Sequence, residues 1–184
     1  MEENEERTGS VVLDTNVIIS SLIRTEGVTR IAFLFLVNKP SIRILCPESA
    51  IKEIRKYEGE IARRTGITAR MLMIALDELL KNIEVREESS FKTCITKVKD
   101  LVKDEKDIPF AALALDCAPS FLVTYNKKDY QTTKLKERGV IVAEPVEALR
   151  EMGIDLKNIK ISRRKRGGLF SVIAKILALI KSND

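Results

Sequence analysis

Five short β-rich segments alternate with helical segments along this chain, and the alternation limits the folds that it can adopt. The strand-like segments are 10–14, 42–46, 83–85, 121–124 and 140–142. Strands separated by helices are typical of a parallel sheet, because each connection has to cross back over the sheet. We therefore predict an α/β protein, a three-layer α/β/α sandwich with a central, mostly parallel sheet.

Helical periodicity defines the segments between these strands. Pro40 ends one apolar helix, Pro47 precedes the start of the next, and Gly66 divides a longer helical region in two. The predicted helices are 16–23, 29–37, 48–57, two within 61–80, 91–102, 108–118 and 132–138. A chain of 184 residues is long enough for one such domain with a full core, plus an appendage.

The residue types that are absent limit the catalytic mechanisms that the chain can use. The chain has no histidine and no tryptophan. Because imidazole is the usual general base near neutral pH, its absence excludes catalytic triads, histidine-dependent RNA cleavage and histidine-ligated zinc. Carboxylates acting with a divalent metal ion remain as the main catalytic option.

The cysteines and the N-terminal residues favour a cytoplasmic protein. Cys46, Cys94 and Cys117 are odd in number and lie in apolar sequence, which indicates neither a disulfide framework nor a zinc knuckle. Residues 1–7 are polar and acidic, the opposite of a signal peptide. We expect reduced thiols and no export.

Acidic residues adjoin apolar segments at three places. Asp14 ends the first strand, Asp107 precedes the apolar helix, and Asp129 follows the fourth strand. Because ligands of parallel sheets bind at the carboxyl ends of the strands, we expect these acids to meet in one cleft. Oxygen ligands of this kind suit Mg²⁺ or Mn²⁺. Each acid could instead cap the helix that follows it.

The order of these motifs resembles that of a PIN domain. A strand ending in DTN (14–16) is followed by a helix with an internal Glu, by DEKDIP (104–109) and by TYNKKDY (124–130). The resemblance covers roughly residues 10–150. It implies an α/β sandwich in which three or four acids bind Mg²⁺ or Mn²⁺, and the family cleaves single-stranded or structured RNA. Many small members of the family are toxins of the VapC type, which an antitoxin protein holds, and others process ribosomal RNA.

The resemblance also implies which residues form the site. The catalytic and metal-binding residues would be Asp14, Glu53, Asp107 and Asp129, with Asn16, Thr124 and Asn126 as supporting polar residues. Glu48 is an alternative to Glu53 on the same predicted helix. The commonest family pattern, Thr-x-Asp, has an acid where this chain has Asn126, and we expect Asp129 to substitute for it.

Two functions are compatible with these residues. The first is a metal-dependent endoribonuclease that hydrolyses RNA phosphodiester bonds. Such a nuclease could be the toxin of a toxin–antitoxin pair. The alternative is a catalytically degenerate PIN-fold protein that binds RNA or acts as a scaffold, because Asn126 removes an acid. A nucleotide-handling enzyme has little support, since the eight glycines are scattered and form no phosphate loop.

The positive charge of the chain is concentrated in its tail. Residues 157–184 contain eight Lys or Arg and one acid, whereas residues 1–156 contain 24 bases and 26 acids. We divide the chain into an acidic segment (1–9), a PIN-like nuclease domain (10–152), a basic linker (153–168) and an amphipathic C-terminal helix (169–182).

The apolar side of this last helix needs a partner surface. About thirteen residues cannot span a bilayer, which needs roughly 20. The alternatives are a groove on the same domain, a second copy of the chain in a homodimer, or an anionic membrane surface. The basic linker could also hold RNA phosphates.

Overall fold

A computed structural model describes residues 9–23 and 28–154 of the chain. Within these ranges strands and helices follow one another in the alternating order expected from the sequence. The strands are β1 (Gly9–Leu13), β2 (Ile42–Pro47), β3 (Glu84–Arg86), β4 (Ser120–Val123) and β5 (Val140–Ala143). The helices are α1 (Thr15–Ile23), α2 (Val28–Asn38), α3 (Glu48–Lys56), α4 (Glu58–Thr65), α5 (Ala69–Leu80), α6 (Lys92–Val98), α7 (Ile108–Asp116), α8 (Thr132–Glu137) and α9 (Pro145–Glu151). Short 3₁₀ turns lie at Glu88–Phe91, Lys99–Leu101, Glu105–Asp107 and Lys127–Asp129.

The five strands form one parallel sheet in the order β3-β2-β1-β4-β5. The chain builds the sheet outward from β1 in one direction and then returns to add β4 and β5 on the other side. In open parallel sheets this change of direction leaves a crevice at the carboxyl ends of the two central strands. Leu13 at the end of β1 is in register with Val123 at the end of β4. The next residues, Asp14 and Thr124, therefore meet at the crevice.

Helices flank the sheet and bury its central strands. α7 packs across β1, β2 and β4, and α6 packs against α7. α2 and α9 pack against each other and also contact β2 and β5, respectively. Val11, Val12 and Leu13 of β1 are fully buried, which explains why this strand is a continuous apolar run and does not alternate. The predicted α/β/α sandwich with a parallel sheet is confirmed.

Some element boundaries differ from those predicted. The helical region 91–102 consists of α6 flanked by 3₁₀ turns, and α9 was not predicted. The sequence contains a signal for α9: Pro145 stands in the first turn, and Glu144 and Glu147 form a capping box. Gly66 separates α4 from α5 as expected, with a φ of +73° that favours glycine at a helix end.

The predicted C-terminal helix at 169–182 and most of the basic linker lie outside the described residues, so the proposed partners of the tail stay predictions. Among the helices of residues 9–23 and 28–154, none has both the length and the apolar character that a membrane crossing requires.

Candidate functional site

Asp14 lies at the carboxyl end of β1, where only 4% of the residue is exposed. Its backbone N–H donates to the carbonyl of Val123 at 3.0 Å. Its carboxylate Oδ2 accepts hydrogen bonds from Thr124 Oγ1 at 2.6 Å and from Asn16 Nδ2 at 2.8 Å. The structure therefore brings Asn16 and Thr124 to Asp14, and the two bonds orient its carboxylate.

The electrostatics of Asp14 leave its negative charge incompletely compensated. Burial raises the pKa of Asp14 above its usual value of 3.8. Hydrogen bonds from Thr124 and from the backbone of Asn16 and Thr15 lower the pKa, but burial outweighs them, and the charge of Glu53 raises it slightly further. A buried carboxylate of this kind is a candidate for binding a cation or taking part in catalysis.

Thr124 is fully buried and connects Asp14 to the loop that follows β4. Its Oγ1 accepts from the backbone N–H of Asn126 at 2.9 Å while it donates to Asp14. Asn16 Oδ1 accepts from the backbone N–H of Tyr125 at 3.4 Å. These bonds join the ends of β1 and β4 and so position the loop that carries Asp129.

Asp107 lies where the 3₁₀ turn Glu105–Asp107 meets α7, and it is half-buried. Its side chain makes no capping hydrogen bond to α7. The neighbouring Asp104 caps the 3₁₀ turn Glu105–Asp107 and not α7, because its Oδ1 accepts from the backbone N–H of Lys106 at 3.0 Å. Capping of α7 therefore does not explain why an acidic side chain stands at position 107.

The surroundings of Asp107 show that the acids converge. Its pKa is raised from 3.8 to about 7, first by burial and then by the negative charges of Asp14, Asp104, Asp129 and Glu53. These acids come from separate parts of the chain: the end of β1, the loop before α7, the loop after β4, and α3. The carboxyl edge of the sheet thus holds a group of mutually repelling carboxylates, which we call the acid cluster: Asp14, Glu53, Asp107 and Asp129.

Asp129 enters the cluster through a loop that is tied to the segment before Asp107. Its backbone carbonyl accepts from the N–H of Lys103 at 2.8 Å, and Tyr130 forms a bridge with Val102. Its carboxylate accepts a hydrogen bond from Asn126 Nδ2. The amide that stands where the common family pattern has an acid therefore holds the carboxylate of Asp129.

The structure distinguishes Glu53 from Glu48. Glu48 forms an ion pair with Lys52 at 2.9 Å in the first turns of α3. Glu53 is half-buried, and its charge contributes to the raised pKa of both Asp14 and Asp107. Of the two, Glu53 is the one placed in the acid cluster.

Two buried hydroxyls beside the cluster were not recognised in the sequence. Tyr130 is 5% exposed and Thr15 is 6% exposed, and neither hydroxyl has a hydrogen-bond partner within the described residues. Burial, followed by the charges of Asp14 and Asp107, raises the pKa of Tyr130, so its ring lies near the acids. Buried hydroxyls without a protein partner are often satisfied by an ordered water molecule or an ion.

The donor set fits a hard divalent cation. The acid cluster and its neighbours offer carboxylate, amide and hydroxyl oxygens, which Mg²⁺ and Mn²⁺ prefer. In the part of the chain that is described, no three acidic or cysteine side chains already surround a common point. The chemistry of these donors therefore fits the ion, although their side chains as described do not enclose it.

The fold and the acid cluster define a class of protein, a parallel α/β domain with an acid-lined crevice where the order of its strands reverses. A model of the PIN domain family matches residues 12–120, more than half of the chain, and the chain belongs to this family. The matched region contains Asp14, Glu53 and Asp107 and ends before Thr124 and Asp129.

Comparison with solved structures finds VapBC2 from Rickettsia felis, bound to a DNA fragment from its promoter. The two chains share 17% identity with a TM-score of 0.46, over 72% of this chain and 96% of that chain. No curated protein matches the sequence. The family assignment rests on the PIN domain match, because this structural similarity is low.

Proposed function

We propose that this PIN-domain protein is a Mg²⁺- or Mn²⁺-dependent endoribonuclease that hydrolyses RNA phosphodiester bonds. Its catalytic and metal-binding residues are the acid cluster. The observation that carries the proposal is the environment of Asp107, whose pKa is raised to about 7 by burial and by the charges of neighbouring acids. These carboxylates are held together although burial and mutual repulsion disfavour their charged forms. In a chain without histidine they are suitable ligands for a hard divalent cation.

A bound Mg²⁺ or Mn²⁺ would offset negative charge on the phosphate and activate water. The residues of the chain supply the geometry: Thr124 and Asn16 hold the carboxylate of Asp14, and Asn126 holds that of Asp129. Without a cation Asp107 exchanges a proton near neutral pH, because its pKa is about 7.

Replacing Asp14 tests the proposal directly. Asp14→Asn preserves the size of the side chain and one oxygen acceptor, but it removes the charge. We expect Mn²⁺-stimulated cleavage of an end-labelled, unstructured RNA to fall by about 100-fold or more, with an unchanged circular dichroism spectrum. Cleavage that persists in this variant contradicts the proposal.

Asp116→Asn is the matched control. Asp116 ends the helix that Asp107 precedes, and its carboxylate lies 3.7 Å from Arg86. It therefore lies at the far end of α7 from the acid cluster, about 13 Å away at 1.5 Å per residue. We expect this variant to cleave RNA at the rate of the parent.

A degenerate, non-catalytic PIN protein is the alternative function. The observations that favour it are Asn126 and the lack, in residues 9–23 and 28–154, of three acids already gathered around one point. Calorimetry separates the two functions, because the nuclease binds Mn²⁺ at micromolar to roughly millimolar concentrations and loses that binding in Asp14→Asn. If neither the parent chain nor Asp14→Asn releases or absorbs heat on addition of Mn²⁺, the non-catalytic scaffold function is favoured.

The proposed partners are an antitoxin-type inhibitor protein and a second copy of the chain. This proposal is supported by membership of the PIN family. Induced expression of the parent chain in a bacterial host should arrest growth, whereas Asp14→Asn should not. Light scattering on the purified protein measures the expected homodimer.

A further inference from the structure

The hydroxyl of Tyr130 is buried without a hydrogen-bond partner. Only 5% of Tyr130 is exposed, and nothing in residues 9–23 and 28–154 bonds its Oη. An unpaired buried hydroxyl is unfavourable, because the group has given up its hydrogen bonds to water. The nuclease function proposed above assigns no role to this hydroxyl, so its position needs a separate explanation.

Two segments that carry acids of the cluster enclose Tyr130. It directly follows Asp129 in the loop after β4, and it forms an antiparallel bridge with Val102 in the segment before Asp107. The backbone N–H of Lys103 donates to the carbonyl of Asp129 at 2.8 Å and fastens the same contact. The aromatic ring packs in the hydrophobic core. Tyr130 is therefore held between the loop that carries Asp129 and the turn that carries Asp107.

The acid cluster acts electrostatically on this hydroxyl. Burial raises the pKa of Tyr130, and the negative charges of Asp14, Asp107 and Asp129 raise it further. The hydroxyl therefore keeps its proton. A protonated phenol both donates and accepts hydrogen bonds, whereas an ionised carboxylate only accepts them. Tyr130 thus offers the cluster a donor that its acids lack.

The hydroxyl of Thr124, in contrast, is already fully used. Its Oγ1 donates to Asp14 at 2.6 Å and accepts from the backbone N–H of Asn126 at 2.9 Å. These two bonds hold one carboxylate and one loop in place. The hydroxyl of Tyr130 has no such bond to any described residue, so its hydrogen-bonding capacity remains for a ligand that enters the cluster.

We propose that Tyr130 is a positioning residue for the divalent ion, with its hydroxyl donating to a carboxylate of the acid cluster and accepting from a water molecule in the ion's hydration shell. This inference rests on the proposed nuclease function and deepens it by adding a residue to the same site. Mg²⁺ usually keeps several waters when protein carboxylates bind it, so its hydration shell has hydrogen bonds to donate. Groups that bond the ligands of a metal ion orient them, and their loss weakens metal binding by about 10- to 100-fold.

Calorimetric titration of the full chain with Mn²⁺ tests the inference. Tyr130→Phe retains the ring and removes only the hydroxyl, and we expect its Kd for Mn²⁺ to be about tenfold higher than that of the parent. Its free energy of unfolding in EDTA should be no lower than that of the parent, because the hydroxyl has no partner to lose. Tyr57→Phe is the matched control: it removes a hydroxyl from a ring that is 41% exposed and should bind Mn²⁺ like the parent.

The Mn²⁺ dependence of RNA cleavage separates positioning of the ion from contact with the substrate. For Tyr130→Phe, the Mn²⁺ concentration that gives half-maximal cleavage should rise about tenfold. The rate at saturating Mn²⁺ should approach that of the parent, because excess ion restores occupancy of the site. A lower maximal rate with unchanged Mn²⁺ affinity would show that the hydroxyl acts on the substrate and would overturn the inference.

Two further results overturn the inference. One is equal Mn²⁺ affinity in the parent and in Tyr130→Phe, which would mean that an ordered water unrelated to the ion satisfies the hydroxyl. The other is a loss of stability in EDTA that is as large as the loss in Mn²⁺, which would assign the hydroxyl to folding. If Mn²⁺ binding is lost in Asp14→Asn but not in Tyr130→Phe, only this inference fails; if the parent binds no Mn²⁺, the proposed function fails with it.

Discussion

The raised pKa of Asp107 predicts an unusual dependence of stability on pH. The folded-state pKa is about 7 and the ordinary value is 3.8, so the folded chain holds this proton more tightly than the unfolded chain. Its stabilising contribution is fully present below about pH 4 and is lost as pH rises through 7. At 1.36 kcal/mol for each pKa unit, the difference corresponds to about 4 kcal/mol. Water screens a half-buried group, so we expect about 2–4 kcal/mol.

The assay is urea denaturation in EDTA at several pH values between 4 and 8, for the parent chain and for Asp107→Asn. Asn does not titrate, so the difference in unfolding free energy between the two proteins should change by about 2–4 kcal/mol across that range. The stability of the variant should increase relative to that of the parent as pH rises. Saturating Mn²⁺ should stabilise the parent most at pH 8, because binding requires the deprotonated carboxylate. A difference that stays constant with pH refutes the reasoning.

Three further substitutions test the network around the cluster. Thr124→Val removes the donor to the buried Asp14 carboxylate; urea melts should show a loss of about 2 kcal/mol at pH 8 that shrinks at pH 4, and an equal loss at both contradicts this account. Tyr130→Phe removes an orphaned hydroxyl and should leave stability in EDTA unchanged or up to about 1 kcal/mol higher, whereas a clear loss reveals a partner for the hydroxyl. Asn126→Asp places a carboxylate beside Asp129; it should lower the melting temperature in EDTA and regain it with Mn²⁺, and a loss that Mn²⁺ leaves uncorrected counts against a metal site.

The central part of the site was predictable because parallel strands constrain it. Asp14 and Thr124 each follow a short apolar strand, and the carboxyl ends of neighbouring parallel strands share one edge. Their 2.6 Å contact is therefore a consequence of the strand order. The helix break at Gly66 was predictable for a local reason, since glycine favours the left-handed conformation at a helix end.

The remaining details depend on tertiary contacts that spacing along the chain does not encode. A helical pattern leaves Glu48 as an alternative to Glu53. The ion pair of Glu48 with Lys52 and the effect of the Glu53 charge on the pKa of Asp14 and Asp107 separate the two. Asn126 looked like the loss of an acid, but it donates to Asp129. The burial of Tyr130 depends on the packing of the loop after β4 against the segment before α7.

The sequence also did not predict the groove between α3 and the start of α7, which Glu53 lines. Tyr57 and Lys106 are far apart along the chain, and each is an ordinary surface residue when considered alone. Only the packing of α3 near the start of α7 places both residues along one groove. The charge count alone drew attention to the tail, where the basic residues are concentrated.

The central claim is that acids from separate segments bind one divalent ion at the carboxyl edge of the sheet. A crystal of the full chain soaked in Mn²⁺ tests it most directly, through the anomalous scattering of manganese. We predict an anomalous peak within about 2.0–2.5 Å of carboxylate oxygens of Asp14 and at least one of Asp107, Asp129 and Glu53. A soaked crystal with no peak at this edge, or with manganese bound only at other surface acids, would contradict the account.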